Sequence, residues 1–192
     1  MTRSRLTSDR LDELYAGALA LVAEHGFDRL TMDQIAEATR SSKATLYRQW
    51  GGKAQLLAQA LRCSTATSDA VADTGSLRGD LAELVQHRSR SLDQEADLIG
   101  SILHAMKADE ALRSAVRDEV VSAHRAQLDT VLQRAVARGE VAADNPALEH
   151  IDLVVIAPFV LRVLIDDEPV DDAYLSAYLD AVVLPALGMA SP

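Results

Sequence analysis

The amino-acid sequence predicts an all-α fold. Apolar residues recur at helical spacing, as in Leu11, Leu14, Tyr15, Ala18 and Val22, which line one stripe of an amphipathic helix. Runs of β-branched residues in strict apolar/polar alternation, the mark of a half-buried strand, are absent. Hydrophobic residues make up 48% of the 192, against nine Gly and five Pro. That composition suits an ordered, helix-rich chain of one or two domains with a real core.

The first helix is expected over residues 8–25, with Gly26 as C-cap and Phe27 as the apolar contact just beyond. Thr31 followed by Gln34 is a capping box, which starts a second helix, 31–38, with Ile35 and Ala36 on its apolar face. Thr39, Arg40, Ser41 and Ser42 then break the pattern. Hydroxyls at such a break compete for helix hydrogen bonds and favour a turn and a new N-cap. The third helix, 42–48, turns Leu46 and Trp50 inward and leaves Lys43, Thr45, Tyr47 and Arg48 outside. A fourth helix is expected over 53–68, and the Ser, Thr, Ala and Gly of 64–75 mark a connection. Helices follow at 77–91, 95–107, 110–138, 146–165 and 171–187. Gly139 serves as a C-cap, and Asn145-Pro146 as an N-cap with Pro in the first turn. Pro158 should bend the helix that contains it, and 166–169 is an acidic turn.

Charge is divided unevenly. The formal net charge is −10, yet residues 1–57 carry eight Lys/Arg against seven Asp/Glu, a net of +1, and the remainder carries −11. The acidic charge therefore sits away from the third helix, and local sign matters most within a screening length of about 8 Å. The single cysteine, Cys63, has no internal partner, and the polar, basic residues 1–10 lack the shape of a signal peptide. The longest apolar run, 153–161, is too short to span a bilayer. A cytoplasmic protein without membrane contact is the expectation.

A short helix that displays Lys, Thr, Tyr and Arg after a tight turn suits the major groove of DNA. The whole arrangement resembles the tetracycline-repressor (TetR) family of one-component regulators. The resemblance rests on Gly26-Phe27, Thr31-Met32, Ile35-Ala36-Glu37-Ala38, Ser42-Lys43-Ala44-Thr45-Leu46-Tyr47, Trp50, Lys53 and Leu56-Leu57. It covers roughly the first third of the chain. It differs where Arg40 replaces the usual Gly, Trp50 the frequent Phe, and Gly52 a polar N-cap. A left-handed turn costs Arg about 1 kcal/mol more than Gly, so that turn should differ locally or carry strain.

The resemblance implies an N-terminal three-helix helix-turn-helix domain, 1–57, and a C-terminal helical domain for effector binding and dimerisation, 58–192. Thr31, Ser42, Lys43, Thr45, Tyr47, Arg48 and Lys53 are the candidate DNA contacts. Lys43 and Arg48 can reach base edges, where Lys and Arg favour guanine O6 and N7. Thr31, Thr45, Tyr47 and Lys53 match family positions that commonly hold phosphates. Capping alone is the other reading of Thr31, and a half-buried ring that of Tyr47. Arg3, Arg5 and Arg10 could reach a neighbouring phosphate or lie in a frayed terminus.

The helices 146–165 and 171–187 carry apolar residues on more sides than one neighbour can cover. In the family they pair with their copies, which implicates Ile151, Val155, Phe159, Tyr174, Tyr178 and Ala181 in a homodimer interface. A wholly intramolecular core is the alternative. The family's small-molecule pocket lies among the C-terminal helices, and His87, His104, Met106 and His124 are the candidate polar or polarisable groups there. Residues 58–192 hold only three aromatics, Phe159, Tyr174 and Tyr178, so an aliphatic pocket is expected in place of an aromatic cage.

No nucleophile elbow, P-loop, dinucleotide fingerprint or zinc-protease motif occurs, and no Cys/His cluster has metal spacing. No enzymatic activity, metal or cofactor is expected. The reading is a homodimeric regulator, a repressor released from a palindromic double-stranded operator by a small-molecule effector. Its alternatives are a ligand-binding bundle without DNA function and an activator of the same family.

Overall fold

The structure, a computed structural model, describes residues 8–65, 71–92, 96–166 and 168–189, the side chains of 65, 87–92 and 96–97 excepted. The helices are α1 (Ser8–His25), α2 (Met32–Ala38), α3 (Lys43–Trp50), α4 (Lys53–Thr65), α5 (Leu77–Leu92), α6 (Ala96–Ala108), α7 (Glu110–Val116), α8 (Ser122–Ala137), α9 (Ile151–Ile165), α10 (Asp172–Tyr178) and α11 (Leu184–Ala186). Among the described residues there is no strand, and no helix is long and apolar enough to cross a membrane. The fold is all-helical, with an N-terminal helix-turn-helix and a C-terminal helical region.

Two compact units are present, one built on residues 1–65 and 97–122, the other on 66–96 and 123–192. In the first, α4 packs on α1 and α7. Leu14, Phe27, Leu30, Ile35, Leu46, Leu56, Leu57 and Leu112 are fully or almost fully buried there, and Leu98 and Ile102 of α6 join them. The stripe read from α1 supplies Leu14, Tyr15, Ala18 and Val22 to this core, with Leu11 packed against its edge.

The second unit centres on Leu77, Leu81, Val131, Ile151, Phe159, Leu175 and Val183. Asp80 of α5 is a carboxylate with no exposed surface. It accepts hydrogen bonds from Thr74 N and Thr74 Oγ1, both at 2.7 Å, and from Arg138 Nη2 at 3.0 Å. Arg138 also pairs with Asp73 and Glu140, and Glu140 Oε2 accepts from Leu77 N at 2.6 Å, capping α5 from afar. Burial pushes the Asp80 carboxyl up, but the bonds from Thr74 and Arg138 outweigh burial and hold it below the usual aspartate range.

Three long helices expected from periodicity are interrupted. The span 110–138 contains a π-helical turn at Arg117–Val121, and 171–187 contains another at Leu179–Val183. Pro185 brings no N–H to the ladder just beyond the second, which suits a break there. The span 146–165 opens as a 3-10 turn, Pro146–Glu149, and the α-helix begins only at Ile151. Asn145 caps that turn, its Oδ1 accepting from Ala147 N at 2.8 Å.

Three of the six expected dimer residues lie inside the protomer. Ile151, Val155 and Phe159 point into their own protomer's core and are at most 5% exposed. Tyr174 and Tyr178 are half-buried and stacked, with centroids 6.0 Å apart; the Tyr178 hydroxyl donates to Val154 O at 2.9 Å, and the Arg162 guanidinium lies 4.1 Å over the Tyr174 ring. Only Ala181 of the six is exposed. The open apolar stripe of α9 is instead Leu153, Leu161 and Ile165, with half-buried Ala157 between them at the same four-residue spacing. A helix apolar nearly all round has no preferred face by periodicity, so the choice between two stripes offset by two residues was open.

Candidate nucleic-acid interface

The turn between α2 and α3 is built from local hydrogen bonds. Thr31 Oγ1 accepts from Gln34 N at 3.3 Å, and Gln34 Oε1 accepts from Thr31 N at 2.8 Å, so the capping box closes. At the other end of α2, Arg40 takes a left-handed conformation, with φ of +49°. Ser41 N donates to Ala36 O at 2.8 Å and Arg40 N to Glu37 O at 3.1 Å, the paired bonds of a Schellman C-cap. The turn thus keeps the left-handed geometry that Gly would ease, and Arg40 carries the strain. Thr39 is buried and its hydroxyl donates to Ile35 O at 2.6 Å. A guanidinium N–H of Arg10, reaching over from α1, donates to Thr39 O. Gly17 lets α1 approach this turn, because a Cβ there would stand 3.3 Å from Thr39 Cγ2.

Ser42 caps α3, its Oγ accepting from Thr45 N at 3.1 Å and lying 2.8 Å from Thr45 Oγ1. Leu46 is fully buried and Trp50 is 4% exposed, so two residues one turn apart root the short helix. Trp50 Nε1 donates to Gln59 Oε1 of α4 at 3.0 Å, and the Tyr15 ring meets the Trp50 ring edge-on at 6.0 Å between centroids. Gly51 ends the helix in a left-handed conformation, with its N donating to Tyr47 O at 2.8 Å. The opposite side of α3 is open: Lys43, Ala44, Tyr47, Arg48 and Gln49 are exposed, Tyr47 by 46%.

Of the candidate DNA residues, Thr31, Ser42, Lys43, Tyr47 and Arg48 are exposed and Thr45 and Lys53 half-buried, and both lysines are already engaged. Lys43 is already paired: its ammonium lies 2.8 Å from Asp33 Oδ1 and 2.9 Å from Oδ2, on α2. The hydrogen bond to Asp33 raises the Lys43 pKa and keeps it charged. Lys53 is drawn inward. Its ammonium donates to Phe27 O at 2.9 Å and Leu30 O at 3.0 Å and sits 4.1 Å over the Phe27 ring, tying the start of α4 to the α1–α2 loop. Of three ammonium donors only one remains for a phosphate. Asp33, Gln59, Gly17 and the Arg10–Thr39 contact escaped sequence reading; each acts through a partner at least nine positions away, where no local pattern reports it. Arg3 and Arg5 lie outside the described residues.

The candidate ligand residues are scattered. His104 is exposed at the edge of an open hollow of about 380 Å³, which His25, Phe27, Arg29 and Ser101 also line. Met106 packs against the first unit's core, while His124 is half-buried on α8 in the second unit. The His87 side chain lies outside the described ones. Cys63 is exposed, but desolvation raises its pKa, the opposite of an activated thiol. Among the described residues no three His, Cys, Asp or Glu side chains group as a metal site.

Comparison with known proteins bears on both parts of the chain. Residues 14–60 match the family model described as bacterial regulatory proteins of the tetR family, and residues 71–182 match the tetracyclin repressor-like C-terminal domain. An HTH-type transcriptional regulator of Mycobacterium tuberculosis is 35% identical over 180 residues, covering 94% of this chain and 89% of its own. A DNA-binding transcriptional repressor of Mycobacteroides abscessus is 35% identical over 173 residues, covering 89% of this chain and 90% of its own. Among solved structures, a TetR family transcription regulator superposes with a TM-score of 0.62 at 25% identity, covering 94% of this chain and 98% of its own. A regulator from a Rhodococcus species shares the fold, with a TM-score of 0.68 at 16% identity and coverage of 94% and 98%.

Proposed function

Because the chain belongs to the tetracycline-repressor (TetR) family of DNA-binding transcription regulators, we propose that it is a repressor that grips a palindromic operator as a homodimer. The observation that carries this reading is the two-sided character of α3. Leu46 and Trp50 fix it to the bundle, while Lys43, Tyr47 and Arg48 stand in solvent beside the Ser42–Thr45 cap. Lys43 and Arg48 would reach base edges; Thr31, Ser42, Thr45 and Tyr47 would hold phosphates, with Lys53 contributing its one remaining donor. The reading domain is 1–57. Residues 58–192 hold the dimer contacts and the effector.

The repressor role follows the Mycobacteroides abscessus relative, which carries that description. A two-fold operator needs two copies of α3 about 34–36 Å apart, and the stripe of Leu153, Leu161 and Ile165 supplies an apolar face suited to a second copy. A small molecule would release the operator by binding one conformer more tightly than the other; about 1.4 kcal/mol of such coupling is a tenfold loss of DNA affinity. The test is selection from random duplexes followed by gel shift at moderate salt. A palindrome with half-sites one helical turn apart should be enriched, and a pool without any enriched palindrome would overturn the proposal.

A further inference from the structure

The Lys43–Asp33 pair has a chemistry beyond charge. The ammonium sits astride the carboxylate, 2.8 and 2.9 Å from its two oxygens, and the side chains are 52% and 67% exposed. One belongs to the first turn of α3 and the other to the first turn of α2. An ammonium donor and a carboxylate acceptor thus stand next to each other on side chains that are both largely open to solvent. The pair's net charge is zero, so it offers little attraction to phosphate, and Asp33 repels phosphate outright. In the major groove a G·C pair presents acceptors at guanine N7 and O6 and, next to them, a donor at cytosine N4. A·T places the thymine O4 acceptor and methyl where cytosine N4 would be.

We propose that Asp33 is a specificity-determining residue, and that the Asp33–Lys43 pair reads one G·C base pair per half-site as a unit, ammonium to guanine and carboxylate to the cytosine amino group. Both partners keep spare capacity for this, since an ammonium has three donors and a carboxylate about four acceptor sites. The inference rests on the regulator reading above and adds to it a residue and a base.

Selection from random duplexes is run with the full-length wild type, Asp33→Ala and Lys43→Gln. Wild type should enrich a palindrome with one strongly preferred G·C position, and both variants should relax that same position. Changing that base pair should weaken wild type by about fivefold or more and the variants far less. The double variant Asp33→Asn with Lys43→Gln keeps the pair's net charge at zero and should leave the slope of log affinity against log salt unchanged, whereas loss of a phosphate contact lowers it by about 0.9. Unaltered preference in Asp33→Ala, relaxation at different positions in the two single variants, or a lower salt slope in the double variant would each overturn the inference while leaving the regulator reading intact. Failure of wild type to select any palindrome defeats that reading itself. Thermal melts by circular dichroism should match wild type for both variants, and Lys43→Arg should restore the preferred position.

Discussion

Helices α3 and α9 each bury one stripe and leave another open, and the open stripes differ in kind. α3 roots itself through Leu46 and Trp50 and shows solvent Lys43, Tyr47, Arg48 and Gln49. α9 roots itself through Ile151, Val155, Pro158 and Phe159 and shows solvent Leu153, Leu161 and Ile165, the last 75% exposed. A polar open stripe is stable in water alone and gains a partner only by matching charge and hydrogen-bond pattern. An apolar open stripe gains by being covered, at roughly 25 cal/mol per Å² removed from water. On the proposed function, recognition of DNA and of a second protomer would therefore be separable in this chain, residue by residue.

The largest expected effects divide the two stripes of α9. Phe159→Ala empties a site that is 1% exposed and should cost about 3–5 kcal/mol of stability in urea unfolding. Ile165→Asp, on the open stripe, should leave the unfolding of an isolated protomer almost unchanged. Sedimentation should then show a monomer, and operator affinity should fall by about a hundredfold, because two half-sites are no longer held together. A dimer that survives Ile165→Asp combined with Leu161→Asp would break the comparison, since the open stripe would then have no partner of its own kind.

What the sequence made legible follows the same division. Signals confined to a few neighbours were readable: the bounds of α1, the capping box at Thr31 and Gln34, the caps at Gly26 and Gly139, and the inward pair Leu46 and Trp50. At Arg40 the sequence suggested a turn in difficulty, and the turn kept its left-handed form; at Gly139 the same pair of bonds, Gly139 N to Val136 O and Glu140 N to Ala135 O, closes without that strain. Facts set by distant partners were not readable. Lys53 looks like a free cation until the carbonyls of Phe27 and Leu30 are brought to it. Lys43 is ten positions from Asp33, and α9 is apolar nearly all round. Periodicity fixes the existence of a face, and only packing says which face is covered.

A smaller effect should separate the second unit from the reading helix by pH. Asp80 has its carboxyl pKa lowered in the fold, so it stabilises above the ordinary aspartate value of about 3.9 and ceases to as pH falls below that value through its own lower one. Asp180, paired with Arg78, is lowered too and acts in the same direction. The urea midpoint should therefore drop as pH falls below about 4, and the drop should be shallower in Asp80→Asn. An equally steep drop in that variant would remove Asp80 from the account of acid lability.

The smallest expected effect is Tyr47→Phe. The ring is 46% exposed, and among the described residues the hydroxyl has no hydrogen-bond partner in the protein. Removing that oxygen costs the fold nothing it can be seen to use, so the melting temperature should not move. If the phenol holds a phosphate on the operator, affinity should fall by about twofold to tenfold, the worth of one ordinary hydrogen bond. The loss should be equal for cognate and random duplexes, because a phosphate contact carries no sequence. A loss confined to the cognate site would instead place Tyr47 among the base-reading groups and move the phosphate contacts to the caps at Thr31 and Ser42.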